Sequence, residues 1–267
     1  MTYCIAISLD SGLVLTSDSR TNAGIDHVST YSKMHRCITN PDRCLVIMSA
    51  GNLATTQGVL HQIRRDVQEG VAHNINTLNY MADIAEYLGD VLVNRIRKHS
   101  ERAGFIPDAT LILGGQIQGH DPSIYMVYPQ GNYITTSEET RYLQIGESKY
   151  GKPVLDRFIN HDTSLEDAAV CSLISMDSTM KSNASVGPPI EVLIYKRDQF
   201  YNPRHYKFDA ENAYLLSIRH EWANKLTQAF RSMPRMDDHV SFDDSLHAFW
   251  FRNQLMNKPQ FYRNLRG

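Results

Sequence analysis

The chain predicts an α+β fold, a four-layer αββα sandwich with a C-terminal helical extension. Three observations lead there. The first 50 or so residues are apolar runs broken by tight turns, which is the pattern of strands. Two amphipathic helical stretches follow, and the period then returns to that of strands from residue 109 to 146. Strands, two helices and strands again is not the regular alternation of a βαβ fold; it suits two sheets packed together with helices outside.

The elements can be justified in order. Tyr3-Cys4-Ile5-Ala6-Ile7-Ser8-Leu9 is an apolar strand that turns at Asp10-Ser11-Gly12 into Leu13-Val14-Leu15. His35-Arg36-Cys37-Ile38 precedes a turn at 40–43, and the continuous apolar run Cys44 to Ser49 reads as a strand buried on both faces. It ends in the small residues Ser49-Ala50-Gly51. Asn52 can cap a helix carrying Leu60, Ile63 and Val67 on one face and stopped by Gly70. A second helix has Leu78, Met81, Ala85, Leu88, Leu92 and Ile96 at helical spacing and ends near Gly104. His61, His73 and His99 are expected at the surface of these helices.

Strands are expected at 109–113, 124–128 and 133–135, the last two flanking the turn Pro129-Gln130-Gly131-Asn132, with a short strand at 142–145. Pro153 suits a helix's first turn. The segment 163–182 is a helix with capping-box spacing between Thr163 and Glu166, and Leu165, Ala169, Leu173, Met176 and Met180 on one face. Gly187-Pro188-Pro189 breaks the chain before a closing strand, Ile190 to Tyr195. Past Lys196 the character shifts: Tyr206, Phe208 and Tyr214 lead into a helix that Pro234 ends. We therefore divide the chain into residues 1–197 and 198–267. The tail, Phe249-Trp250-Phe251 through Phe261-Tyr262 with Arg252, Arg263 and Arg266, has the aromatic and arginine content of an interface, or else folds on its own domain.

Composition sets bounds on function. With 267 residues the chain can bury a sizeable core, and 42% hydrophobic with 21% charged residues is ordinary for a globule. The formal net charge of −2 gives no electrostatic reason to expect nucleic acid. No apolar run approaches the roughly 20 residues of a membrane span. The opening lacks a secretory pattern, since Asp10 and Gly12 interrupt it and no basic leader precedes it, so a cytoplasmic protein is expected. Cys4, Cys37, Cys44 and Cys171 are scattered without metal-site spacing and are expected as reduced, mostly buried thiols; no metal is expected.

The candidate chemistry lies at the N-terminus. A threonine hydroxyl is a weak nucleophile until a base takes its proton. With Met1 removed, Thr2 carries its own base. An unperturbed α-amine has a pKa of about 7.7, so roughly a sixth of it is neutral at pH 7, whereas a lysine near ~10.4 is almost entirely charged. The amine is the better base, and Lys33 is better cast as a fixed cation that favours the alkoxide and depresses the amine's pKa. Asp18 would hold Lys33 charged and in place.

Thr2 with Ser17-Asp18-Ser19-Arg20-Thr21, Lys33 and Met48-Ser49-Ala50-Gly51 resembles a proteasome-type β subunit, an N-terminal-nucleophile hydrolase. Tyr31-Ser32-Lys33-Met34-His35, Ile145 through Pro153, and Ser175-Met176-Asp177-Ser178-Thr179-Met180 with Ser182-Asn183 extend the likeness, which is nearest to the bacterial Anbu (ancestral β subunit) branch and runs over nearly the whole chain. The resemblance implies the same αββα architecture and catalysis by Thr2, Asp18 and Lys33. It implies an oxyanion donor at Ala50 or Gly51 and substrate contacts at Thr21, Asn22 and Met48. Asp177 matches a supporting aspartate, but Met180 stands where a serine is expected, so that part falls to Ser178 or Ser182, or to nothing. Glu147 interrupts a small Gly/Ser turn beside the nucleophile and leaves Ser148 to orient the amine.

The function implied is an N-terminal threonine hydrolase cleaving peptide amide bonds in a homo-oligomer, a ring or open spiral. It needs no cofactor, and any partner ATPase is left unnamed. Two alternatives stay open: a non-proteolytic assembly or adaptor protein with a closed or vestigial site, and a small-molecule amidase on the same fold.

Overall fold

The computed structural model describes residues 1–22 and 28–235. Two sheets organise it. The first has the order β10-β1-β2-β11-β12, from β1 (Tyr3–Leu9), β2 (Gly12–Ser17), β10 (Tyr142–Gly146), β11 (Ile190–Lys196) and β12 (Arg204–Phe208). The second has the order β5-β6-β7-β8-β9, from β5 (Met34–Asn40), β6 (Arg43–Gly51), β7 (Ala109–Ile117), β8 (Ser123–Val127) and β9 (Tyr133–Thr135). A small ribbon pairs β3 (Arg20–Asn22) with β4 (Val28–Thr30).

Alternation along the strands builds the layers. In β1, Tyr3, Ile5, Ile7 and Leu9 face α3 (Lys152–Phe158) and α4 (Leu165–Ser182), packing with Leu155, Leu165, Leu173 and Met176. Cys4 and Ala6 point the other way, into the layer between the sheets. In β6, Leu45 and Ile47 pack on α1 (Leu53–Gln68) and α2 (Met81–Ala103), while Cys44, Val46, Met48 and Ala50 join the inter-sheet layer. The period of two makes each strand a wall between two cores, and the four-layer order of the sequence analysis follows from it.

Helix boundaries differ from expectation in instructive places. Asn52 does cap α1, accepting from the Thr55 N–H at 3.0 Å, and the left-handed Gly104 closes α2. Leu78 lies ahead of α2 rather than within it, because that helix begins after Tyr80. The cap of α4 is Ser164, which accepts from the Asp167 N–H at 3.0 Å, and not Thr163 paired with Glu166. Thr163 instead donates to the Phe158 carbonyl at 3.0 Å, bridging the loop after α3. His61 and His73 are exposed, whereas His99 is partly buried against the Thr55 hydroxyl at 3.2 Å.

The strand β12, past Lys196, was not anticipated. It pairs antiparallel with β11, Val192 opposite Tyr206, and extends the first sheet. Two compact units are found, Met1–Glu221 and Trp222–Gly267. Of the second, only residues 222–235 are described: the end of α5 (Ala213–Arg231) and the short stretch up to Arg235. The aromatic tail lies outside the described residues.

Candidate active site

Strand pairing fixes the N-terminus. Tyr3 sits opposite Gly146 of β10, and the Glu147 N–H donates to the Thr2 carbonyl at 2.7 Å. Gly146 has a φ of +82°, and a side chain there would collide with the Thr2 carbonyl, so the close approach requires glycine. On the other side the Tyr3 N–H donates to Asp18 Oδ1 at 3.0 Å, and the Asp18 N–H returns to the Tyr3 carbonyl at 3.2 Å. Thr2 is thus held from both flanks within one residue of the chain's start, with Met1 still exposed on it.

Asp18 is fully buried at the end of β2. Besides Tyr3 it accepts from the Gly187 N–H at 3.2 Å and from Lys33 Nζ at 2.8 Å. Burial raises its carboxyl above the usual range, against the opposing pull of the Lys33 ammonium and the two backbone donors. Lys33, 7% exposed ahead of β5, also donates to the Arg20 carbonyl at 2.5 Å. An ammonium has three protons, so one remains after these two bonds. Lys33 and Thr2 line the same cavity of about 280 Å³, together with Met1, Thr21, Ser49, Ala50 and Gly51. The expected trio of Thr2, Asp18 and Lys33 is therefore brought together.

The strand end at 49–51 can be read further. The Ser49 N–H bonds the Lys33 carbonyl at 3.1 Å on one side of β6, and the Asn52 N–H bonds the Asp108 carbonyl at 2.8 Å on the other. Backbone groups alternate sides along a strand. The Ala50 N–H therefore points toward β7 and the Gly51 N–H toward Lys33 and the cavity. Gly51 has a φ of +107° and lies so close to Asp108 that a Cβ would meet its carbonyl.

Other expected residues are placed elsewhere. Met48, expected as a substrate contact, is instead fully buried between the sheets and does not border the cavity. Asp177 Oδ1 is 2.6 Å from the guanidinium of Arg219 on α5. The Ser178 hydroxyl donates back to the Ile174 carbonyl at 2.9 Å, and Ser182 is exposed at the end of α4. Ser148 engages through its backbone: its N–H donates to the Gly146 carbonyl at 3.0 Å and its carbonyl accepts from Lys152 N–H at 3.1 Å. None of these four borders the Thr2 cavity. Thr21 does border it, while the side chain of Asn22 lies outside the described residues.

Sequence reasoning missed several participants. The Arg20 carbonyl and Gly187 N–H act through the backbone, and no residue type could have announced them. Tyr31, Ser32, Leu53 and Thr56 also line the cavity; their proximity to Lys33 and Gly51 in the chain was the available signal. Glu147 is buried, with Oε2 accepting from Asn183 Nδ2 at 2.8 Å and Oε1 3.4 Å from Lys149 Nζ. Cys4 lies fully buried beside the site, and burial together with the Asp18 carboxylate pushes its thiol far up, which makes it an inert neighbour. Among the described residues no His, Cys, Asp and Glu cluster could hold a metal ion, and no helix is long and apolar enough to cross a membrane.

A threonine just ahead of β1, beside a buried Asp–Lys pair in a four-layer sandwich, has its counterpart among known proteins. A family model for the proteasome subunit matches residues 2–195. The chain belongs to the proteasome subunit family. Its fold is that of the N-terminal-nucleophile hydrolases, and its structural neighbours are Anbu proteins. The structure of Anbu from Yersinia bercovieri is 42% identical, over 87% of this chain and 98% of that one, with a TM-score of 0.83. A structure described as the helical assembly of the Anbu complex from Pseudomonas aeruginosa is 39% identical, over 87% of this chain and 97% of that one, with a TM-score of 0.81. A proteasome subunit beta of Haloquadratum walsbyi is 26% identical over 209 residues, 78% of this chain and 79% of that protein.

Proposed function

We propose that this chain is a threonine peptidase that hydrolyses peptide amide bonds from within an assembly of its own copies. The observation that carries the reading is the Lys33 ammonium, anchored by Asp18 Oδ1 at 2.8 Å and Arg20 O at 2.5 Å in the cavity that Thr2 lines. In the chain as translated the Thr2 nitrogen is an amide and cannot serve as a base. Removal of Met1, which small second residues permit, frees it. The neutral amine then takes the Thr2 hydroxyl proton while Lys33 favours the developing alkoxide.

Attack on the scissile carbonyl moves negative charge to its oxygen, where the Gly51 N–H is the donor in place. The amine passes the proton to the departing amine of the substrate, leaving an acyl ester on Thr2. Water, deprotonated by the same amine, releases the acid. No step calls for a metal or organic cofactor. The helical assembly described for the Pseudomonas aeruginosa neighbour supports a homo-oligomer, and the family supports peptide substrates. A cytoplasmic location accords with this reading.

One observation favours a second reading, an assembly or adaptor protein with an inactive site. Asp177 is paired with Arg219, and Ser178 is turned into its own helix. Hydrolysis of fluorogenic peptides by the assembled protein separates the two. Turnover that Thr2→Ala abolishes supports the peptidase. No turnover of any peptide, with intact assembly, supports the adaptor. Turnover of small amides but not peptides indicates an amidase.

A further inference from the structure

A second cavity, larger than the first, lies between β5 and the C-terminal half of α1 and has a volume of about 420 Å³. This is within the usual range for small-molecule sites. Its rim carries the guanidinium groups of Arg36 on β5 and Arg64 on α1, and no carboxylate lines it. Neither arginine has an ion pair or side-chain hydrogen bond among the described residues. Both are exposed.

The floor is of the opposite character. Leu60, Ile63 and Ile75 are each at most 7% exposed and belong to the core between the second sheet and its helices. One polar atom is left over: Asn76 Oδ1 borders the cavity, buried and without a partner. The remaining titratable groups supply no counter-charge. Burial and then Arg64 hold His35 below the usual imidazole value, and burial raises the Cys37 thiol to about 12. The cavity therefore offers two positive charges at its rim above an apolar floor.

We propose that this cavity is a binding site for an organic oxyanion, a carboxylate or phosphate monoester, carried on a short apolar chain. The head group takes the planar fork of Arg36 or Arg64, for which carboxylate and phosphate oxygens have matching geometry. The chain lies on Leu60, Ile63 and Ile75. The site is separate from the Thr2 cavity but shares one element with it, α1, and touches it through one side-chain contact. Leu53 and Thr56 of α1 line the Thr2 cavity, a few turns before Arg64. His35 of the second cavity approaches the Ser49 hydroxyl of the first at 3.5 Å. The proposal does not depend on hydrolysis by Thr2.

The test is calorimetric titration of the intact, assembled protein with hexanoate, hexyl phosphate and the neutral hexanamide. Either anion should bind once per chain, at least roughly tenfold more tightly than hexanamide, which corresponds to about 1.4 kcal/mol. The tighter anion identifies the head group. Arg64→Gln and Arg36→Gln, whose side chains are at the surface, should keep the thermal midpoint and weaken the anion at least severalfold. Inorganic phosphate should bind more weakly than hexyl phosphate, because it leaves the apolar floor uncovered. Hexanamide binding as well as the anions, or anion binding unchanged in both arginine variants, would overturn the proposal. Since the readout is binding and not turnover, a catalytically dead protein leaves this result interpretable.

Discussion

Asp18 and Lys33 on one side, and Glu147 and Asp177 on the other, are positioned by different kinds of element. Asp18 ends β2, whose register against β1 is continuous from Leu9 opposite Gly12 to Cys4 opposite Ser17. Its carboxylate therefore arrives beside Tyr3 because the strands pair, and Lys33 follows because its backbone carbonyl is tied to Ser49 of β6. Glu147 sits on the turn after β10, and Asp177 lies within the C-terminal half of α4. There the side chains have found other partners, Asn183 and Lys149 for one and Arg219 for the other. Sheet register specifies position within the pleat and leaves little freedom, whereas a turn or a helix face leaves a side chain free to take other partners.

The largest expected effect tests the strand-borne half. Thr2→Ala and Lys33→Met should each reduce peptide turnover or probe labelling by about a thousandfold or more, the scale seen when nucleophile or charge-stabilising groups are lost. Next comes Asp18→Ala. It leaves a buried ammonium without its carboxylate, so a loss of roughly 3–5 kcal/mol in unfolding free energy is expected by chemical denaturation. Asp18→Leu combined with Lys33→Met should recover much of that loss, because no buried charge remains unpaired.

Gly146→Ala sharpens the same comparison through the backbone. Its left-handed φ and the crowding against the Thr2 carbonyl should lower stability by about 2–4 kcal/mol and weaken probe labelling at least tenfold, since the threonine must move. On the helix-borne half the effects should be small. Asp177→Asn breaks a pair whose arginine is 43% exposed and leaves no buried carboxylate unpaired, so stability should fall by no more than about 1 kcal/mol. Labelling should change less than about threefold. A loss from Asp177→Asn comparable to that of Lys33→Met would break the comparison and make Asp177 part of the machinery.

The smallest effect concerns His35. Its folded-state affinity for a proton is depressed by burial and by Arg64, so the unfolded chain binds that proton more readily. The associated stability is present above the unfolded value near ~6.5 and declines as pH falls through the folded value. His35→Gln should flatten the fall in thermal midpoint below pH 6.5 that the native chain shows.

Much of this was legible in the sequence, and the exceptions have physical reasons. Tyr3–Leu9 and Cys44–Ser49 announced themselves because a strand buried on both faces is apolar at every position. That same property hid the side on which Met48 lies, since a continuous run carries no phase. The strand β12 was hidden because Arg204, His205 and Lys207 make it a polar sheet edge. Ser164 and Thr163 compete for one cap, and only the geometry at Asp167 decides between them. Asp18 and Lys33 were readable as chemistry because the proposed reaction needs a cation beside a terminal threonine. Proposing Gly51 rather than Ala50 as the oxyanion donor required knowing which neighbour each N–H faces, and Arg219 as the partner of Asp177 required a contact across the chain.

The account turns on a free N-terminal threonine, and intact-mass spectrometry of the purified assembly tests it directly, before and after an epoxyketone probe and with Thr2→Ala alongside. We expect a mass lacking one methionine and a single probe adduct per chain that is absent from Thr2→Ala. Retention of Met1 in the native assembly, or an adduct that persists in Thr2→Ala, would contradict the account.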